Sequence, residues 1–244
     1  MASGQAADRV RYYVATTDET VIVTFRGTRV LKWETEPSIT DAMRGVIEDV
    51  CIDANCLGSW WAGHGIVHRG FQSAWRGLSE DLESTLRELT DAKSQRSVWF
   101  TGHSLGGALA TLAASQWPHT AGLCTFGSPA VGDETFASHF RVPAFRFVNG
   151  HDVVPRLPLQ LPTGVGAYRH VGRLKYLCHE GLLHEEVPPA TPFLDRILSQ
   201  VMHSPETLAR LWQGELGLLP GDAFLDHTPL YYALRLKDLR EHGI

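Results

Sequence analysis

SVWFTGHSLGGALATLAASQWPHTAGLCTF, residues 97–126, is the stretch whose reading decides the fold of this chain. It lies in the longest uncharged run of the protein, residues 97 to 132, which holds no Asp, Glu, Lys or Arg. A membrane span is excluded there, because Gly102, His103, Ser104, Gly106, Gly107, Gln116, Pro118 and His119 leave no stretch of about 20 mainly apolar residues. The run divides instead into an apolar strand over 97–101, a glycine-flanked turn, an Ala- and Leu-rich helix over 105–117 and a second strand over 122–126. Strand, helix and strand without charge is how a βαβ unit reads when its sheet is covered on both faces.

The same alternation extends outward. YYVATTDETVIVTFRGT predicts a hairpin turning near Asp18, and Phe71, Trp75, Leu78, Leu82, Leu86 and Leu89 fall at helical spacing. PAFRFVNG reads as a further strand and YRHVGRLKYL as a short hairpin. Helical segments are expected around 193–213 and from Thr228 onward. With no repeat, linker or low-complexity stretch, the architecture expected is one α/β domain over 1–244 with a mostly parallel central sheet flanked by helices.

Composition bounds the function. The 244 residues carry 22 Lys plus Arg against 27 Asp plus Glu, a net charge of −5, with 43% hydrophobic content. A chain of this size can bury one sizeable core. No basic stripe is present to neutralise phosphates, so nucleic acid is not the expected partner, and the apolar content excludes disorder. Cys51, Cys56, Cys124 and Cys178 are too few and too irregular for a disulfide scaffold or zinc knuckle. They read as free thiols, with a short Cys51–Cys56 loop as the alternative in an oxidising compartment. MASGQAADRV shows no signal-peptide pattern, as a processed chain also would not, which leaves the compartment open.

The chemistry centres on Gly102-His103-Ser104-Leu105-Gly106, a G-x-S-x-G between a predicted strand and a predicted helix. Glycines there permit a tight turn that thrusts Ser104 above the sheet, next to a helix N-terminus that favours negative charge. The competing reading is a packing turn whose serine caps the helix. A serine hydroxyl needs a general base oriented by a third group, and in such folds the chain order is Ser, then Asp or Glu, then His. Acids following Ser104 include Asp133, Asp152, Asp195, Asp222 and Asp226. Asp152 is preferred because it lies just beyond a predicted strand, on the carboxyl edge where α/β sheets build sites; Asp133 reads as a helix cap. The preferred base is His227, ahead of the final helix, with His170, His179, His184 and His203 as rivals by position alone.

At this point the sequence resembles the class 3 lipases, the fungal-type triacylglycerol lipase branch of the α/β-hydrolases. VIVTFRGT, VHRGF at 67–71, FTGHSLGGALATLAA, TFGSPAVGD, FRFVNGHDVVPRLP, YRHVG and a closing His227 followed by Tyr231 carry the resemblance from residue 21 to about 232. It implies an α/β-hydrolase fold with a lid, Ser104 as nucleophile, Asp152 as triad acid and His227 as base. It further implies Thr28 and the backbone N–H of Leu105 as the oxyanion hole. The activity implied is hydrolysis of acylglycerol carboxylic esters through an acyl-enzyme, without cofactor or metal. A carboxylesterase, phospholipase A1 or feruloyl esterase on the same scaffold is the alternative, and a noncatalytic lipid-binding module the rival from another class.

Two departures from the family stand out. The segment 29–65 is longer than usual, and Ile39, Met43, Val46, Ile47 and Val50 make an apolar helical face opposite Thr40, Asp41, Arg44, Glu48 and Asp49. That face suits core packing or a lid that makes transient contact with a lipid interface. Asp49-Val50-Cys51-Ile52-Asp53 resembles the family's Asp-Trp-x-x-Asp with the Trp replaced. The helical region that usually precedes the first family strand is missing, and the segment around 182–225 is expected to cover that sheet face or to cap the site. Metal patterns fail: His179 and His184 in HEGLLH would stand about 140° apart on a helix, and Gly63 and Gly65 weaken any helix aligning His64 with His68. Residues 102–107 lack the Lys and Ser/Thr of a phosphate loop.

Overall fold

A computed structural model of the chain describes residues 2–6, 10–27, 58–91, 96–157, 168–178, 181–186 and 225–241. In chain order its strands and helices are β1 (Ala2–Ala6), β2 (Val10–Thr16), β3 (Thr20–Phe25), β4 (Gly58–Trp60), β5 (Ile66–His68), α1 (Arg69–Arg76), α2 (Ser79–Asp91), β6 (Ser97–His103), α3 (Leu105–Gln116), β7 (Thr120–Phe126), α4 (Glu134–His139), β8 (Ala144–Asn149), β9 (Arg173–Leu177), β10 (Leu183–His184) and α5 (Pro229–Glu241). Eight of the strands form one sheet in the order β1-β2-β3-β6-β7-β8-β9-β10. From β3 through β9 every pairing is parallel, and the three outer pairings are antiparallel. The mostly parallel α/β sheet expected from the sequence is therefore present.

The uncharged run occupies the middle of this sheet. Alternate residues of β6, Val98, Phe100 and Gly102, are buried, and α3 is buried from Gly106 to Ala114. A helix buried on nearly all sides has no place for a charge, which explains its composition. Tyr12, Val14, Val21, Val23 and Phe25 from β2 and β3 join the same core, where Phe25 stacks on Phe100 and meets Trp75 edge-on. The indole N–H groups of Trp61 and Trp75 donate to Ser115 Oγ (3.1 Å) and Gln116 Oε1 (2.8 Å), so polar atoms entering the core at the end of α3 are satisfied.

Three expectations are corrected. The helical stripe from Phe71 to Leu89 is two helices, broken at Gly77, which follows the last turn of α1. Leu78 is buried within the break, so the apolar spacing runs through it unaltered. YRHVGRLKYL is not a hairpin. Arg169 forms an isolated bridge with Gly132, Gly172 turns the chain at φ 81°, and β9 then pairs in parallel with β8; the hairpin lies later, between β9 and β10. Finally, residues 58–65 of the expected lid form β4 and its turn, paired antiparallel with β5 and anchored by buried Trp61. The remainder of that segment, 29–57, including Cys51 and Cys56, lies outside the described residues. So do the helix expected over 193–213 and most of the 182–225 cap, of which 183–184 form β10.

Candidate active site

Ser104 sits between the end of β6 and the start of α3 with φ 57° and ψ −130°, a conformation that costs a residue with a side chain on the order of 1–3 kcal/mol. The strain is held by the neighbours on both sides. Ser104 N–H donates to the Phe126 carbonyl at the end of β7 (3.0 Å), and its own carbonyl accepts from Gly107 N–H (2.9 Å). The turn also packs against the end of β3. A Cβ on Gly106 would run into the Phe25 carbonyl, and one on Gly27 would lie 2.6 Å from the His103 carbonyl and 3.3 Å from Ser104 Cβ. Glycine at these positions is what lets the strand, the turn and the helix approach so closely. Ser104 does not cap α3 with its side chain, and its buried Oγ has no hydrogen-bond partner.

Asp152 follows β8 on the carboxyl edge of the sheet and is fully buried. Its Oδ1 accepts from Val154 N–H (2.9 Å), its Oδ2 from the Tyr232 hydroxyl (2.7 Å), and both oxygens lie 2.9 Å from His227 Nδ1. The carboxylate is thus tied by donors at both of its oxygens. It fixes the tautomer of His227 as well: Nδ1 carries the proton, and Nε2 is left with its lone pair. That Nε2 is buried and, like Ser104 Oγ, has no partner. Two unsatisfied, complementary groups of this kind, one hydroxyl and one basic nitrogen, are unusual in a packed interior.

The other sequence candidates have different occupations. Asp133 caps α4, its Oδ1 accepting from Phe136 N–H (2.8 Å). Asp226 is buried next to His227, but its Oδ2 accepts from His151 N–H (2.7 Å) and its Oδ1 from Asn149 Nδ2 (3.3 Å), which braces the loop carrying Asp152. His170 Nε2 donates to the Pro155 carbonyl (2.6 Å), and His184 is exposed on β10. Asp195, Asp222, His179 and His203 lie outside the described residues. Leu105 is the first residue of α3, so its N–H belongs to the helix's first turn, where no intrahelical acceptor exists. Thr28 is also outside the described residues, although Gly27 before it packs against Ser104 Cβ.

Tyr232 is a partner of Asp152 that sequence reasoning missed. Tyr231 carries the family resemblance, yet it is the hydroxyl of Tyr232 that reaches Asp152 while accepting from Asn149 N–H (3.0 Å). Burial beside Asp152 raises this phenol well above its ordinary value, so it remains a donor. No helix among the described residues is long and apolar enough to cross a membrane, and no group of three His, Cys, Asp or Glu among them could hold a metal. His68 Nδ1 accepts from Phe71 N–H at the start of α1, and His64 lies against His139.

Two imidazoles near the site are kept neutral. Burial, followed by the nearby charge of His227, lowers His103 to about 3; burial and the Arg146 guanidinium lower His170 to about 4. An unfolded histidine titrates near 6.5, so the unfolded chain binds more protons below that pH. The stability these burials provide is complete above pH ~6.5 and is lost as the pH falls toward 4 and then 3. Thermal midpoints measured from pH 7 to pH 4 are expected to fall progressively, and less steeply for His170→Gln. A flat profile would contradict the burial of neutral rings.

Residues 22–161, more than half of the chain, match the family Lipase (class 3). Over 112 residues the chain is 38% identical to secreted mono- and diacylglycerol lipase 1 of Fusarium solani, covering 43% of this chain and 32% of that protein. The curated relatives it matches are much longer: the chain spans only 32% to 44% of the length of the first of them. Among solved structures, the lipase of Rhizopus microsporus var. chinensis superposes with a TM-score of 0.57 at 25% identity, covering 76% of this chain and 61% of that one. A triacylglycerol lipase whose catalytic centre is formed by a serine protease triad superposes with a TM-score of 0.58 at 25% identity, covering 72% and 65%. These likenesses accord with the α/β-hydrolase fold, and His227 lies beyond the matched family stretch.

Proposed function

The chain belongs to the class 3 lipase family, and from that premise we propose that it is a serine ester hydrolase acting on acylglycerol esters, with Ser104 as nucleophile, His227 as base and Asp152 as the acid that orients it. The observation that carries this reading is the pair of unpartnered groups, Ser104 Oγ on its strained turn and His227 Nε2 at the far end of an imidazole fixed by Asp152. Ser104 Oγ attacks the ester carbonyl while Nε2 takes its proton. The resulting imidazolium returns the proton to the leaving alcohol, and a water deprotonated by the same nitrogen then releases the acid from the acyl-enzyme. The tetrahedral oxyanion is held by the N–H of Leu105 at the first turn of α3, aided by its dipole, and by Thr28 beyond Gly27. No step needs a metal or cofactor.

Ser104 and His227 are only 2% and 1% exposed, which supports a site that opens to admit its substrate. We assign that opening to the lid expected at about 29–65, whose apolar residues Ile39, Met43, Val46, Ile47 and Val50 would then meet the lipid interface. The test is hydrolysis of p-nitrophenyl esters of increasing chain length, soluble and emulsified. A rate rising beyond octanoyl and stimulated by emulsion is the expected result. A maximum at acetyl or butyryl with no gain from emulsion would replace the lipase reading with a carboxylesterase, and hydrolysis of none of the esters, while lipid is still bound, would leave a binding module.

A further inference from the structure

We propose that His103, the residue inside the G-x-S-x-G turn next to Ser104, is a positioning residue for the base: its ring N–H fixes the backbone of His227, and its neutral face supports the imidazolium formed there during turnover. The inference rests on the hydrolase reading above. His103 Nε2 is hydrogen-bonded to the His227 carbonyl, and because a carbonyl can only accept, Nε2 carries the proton. The His103 and His227 rings lie 4.5 Å apart, centroid to centroid, inclined by 40°, and Tyr232 meets His103 edge-on at 5.7 Å. One side chain thus grips the main chain of the base and also lines one side of its ring. It is anchored in β6, the strand that leads to Ser104, so the base is tied to the nucleophile's strand as well as to Asp152.

The second role requires that His103 be uncharged. A protonated His103 would set two cations 4.5 Å apart, and its depression to about 3 keeps the ring neutral wherever His227 works. Among the described residues, the titratable groups shown against His227 are the Asp152 carboxylate at Nδ1, the Tyr232 hydroxyl behind it and His103 itself, with Asp226 one residue before. A neutral aromatic face within about 6 Å of a cation stabilises it. Losing that face disfavours protonated His227, so the acid limb of the pH–rate profile moves to lower pH even as the rate drops.

The experiment compares His103→Leu, His103→Phe and His103→Gln on a short soluble p-nitrophenyl ester, with Ser104→Ala as reference. His103→Leu is expected to lower kcat by about 10- to 100-fold with KM nearly unchanged, and to move the acid limb down by about half a pH unit. His103→Phe, which keeps the aromatic face and loses the donor, restores the acid limb but not the rate. His103→Gln keeps a donor and loses the face; it recovers part of the rate and leaves the limb displaced. An unmoved limb in His103→Leu, or equal limbs in the Leu and Phe variants, overturns the proposal and leaves a packing role. Should the variants fail to fold, nitrogen NMR of the wild-type chain decides: His103 is expected as the neutral Nε2–H tautomer from pH 8 to pH 5, and titration within that range overturns the proposal. This readout needs no turnover, so it is separate from failure of the hydrolase reading, which appears as equal ester hydrolysis by wild type and Ser104→Ala.

Discussion

Replacing Ser104 with alanine is expected to lower ester hydrolysis on the order of 10⁴- to 10⁶-fold, the loss typical when the attacking atom of a triad is removed. The size follows from what remains. Without Oγ the Asp152–His227 pair keeps its hydrogen bond and can at best activate water, and the first turn of α3 still polarises a carbonyl. Folding should be little altered. Oγ makes no hydrogen bond, and the backbone contacts that hold the turn, Ser104 N–H to Phe126 and Gly107 N–H to the Ser104 carbonyl, do not involve the side chain. Alanine also meets the same φ of 57° as serine, so strain is unchanged. Circular dichroism matching wild type together with an unchanged rate would show that the chemistry lies elsewhere.

The second large effect is expected from Asp152→Asn, a loss of about 10⁴-fold, although the shape is conserved. In the native site Oδ1 accepts from Val154 N–H and Oδ2 from Tyr232, and both face His227 Nδ1. An amide nitrogen placed at Oδ1 would oppose Val154 N–H, a backbone donor that cannot reverse its role, so it settles at Oδ2, where the Tyr232 hydroxyl can rotate to accept, and donates to Nδ1. The imidazole then carries its proton on Nε2, where it can no longer accept one from Ser104. The test is kcat for the Asn variant beside a thermal midpoint. Retention of most of the rate would pass the role to another acid, yet Asp226 is already committed to His151 N–H and Asn149.

What could be read in the sequence follows burial. The β6–α3–β7 unit was legible because it is enclosed on both sides, and enclosure writes itself as a run without charge. The break at Gly77 was not, since Leu78 continues the apolar spacing through it. Nor did 168–177 reveal its partner: alternation says which residues face inward, and strand neighbours are settled by the crossover that delivers β9 beside β8. At the site, Ser104 follows from local turn chemistry and Asp152 from its place after a strand. His227 had four positional rivals, and only folding brings it 2.9 Å from Asp152. Tyr232 and His103 act through contacts 80 and 124 residues away, which no local pattern encodes.

The sheet assembles its reactive parts from distant stretches of chain. The strand, turn and helix around Ser104 are contiguous and can form early, whereas His227 arrives on the approach to α5, across 124 residues from His103. If the proposed triad is right, the hydroxyl has no proton acceptor beside it until that segment docks, and an incomplete chain would be chemically silent toward esters. On that reading reactivity belongs to the completed tertiary structure and to no single stretch of chain.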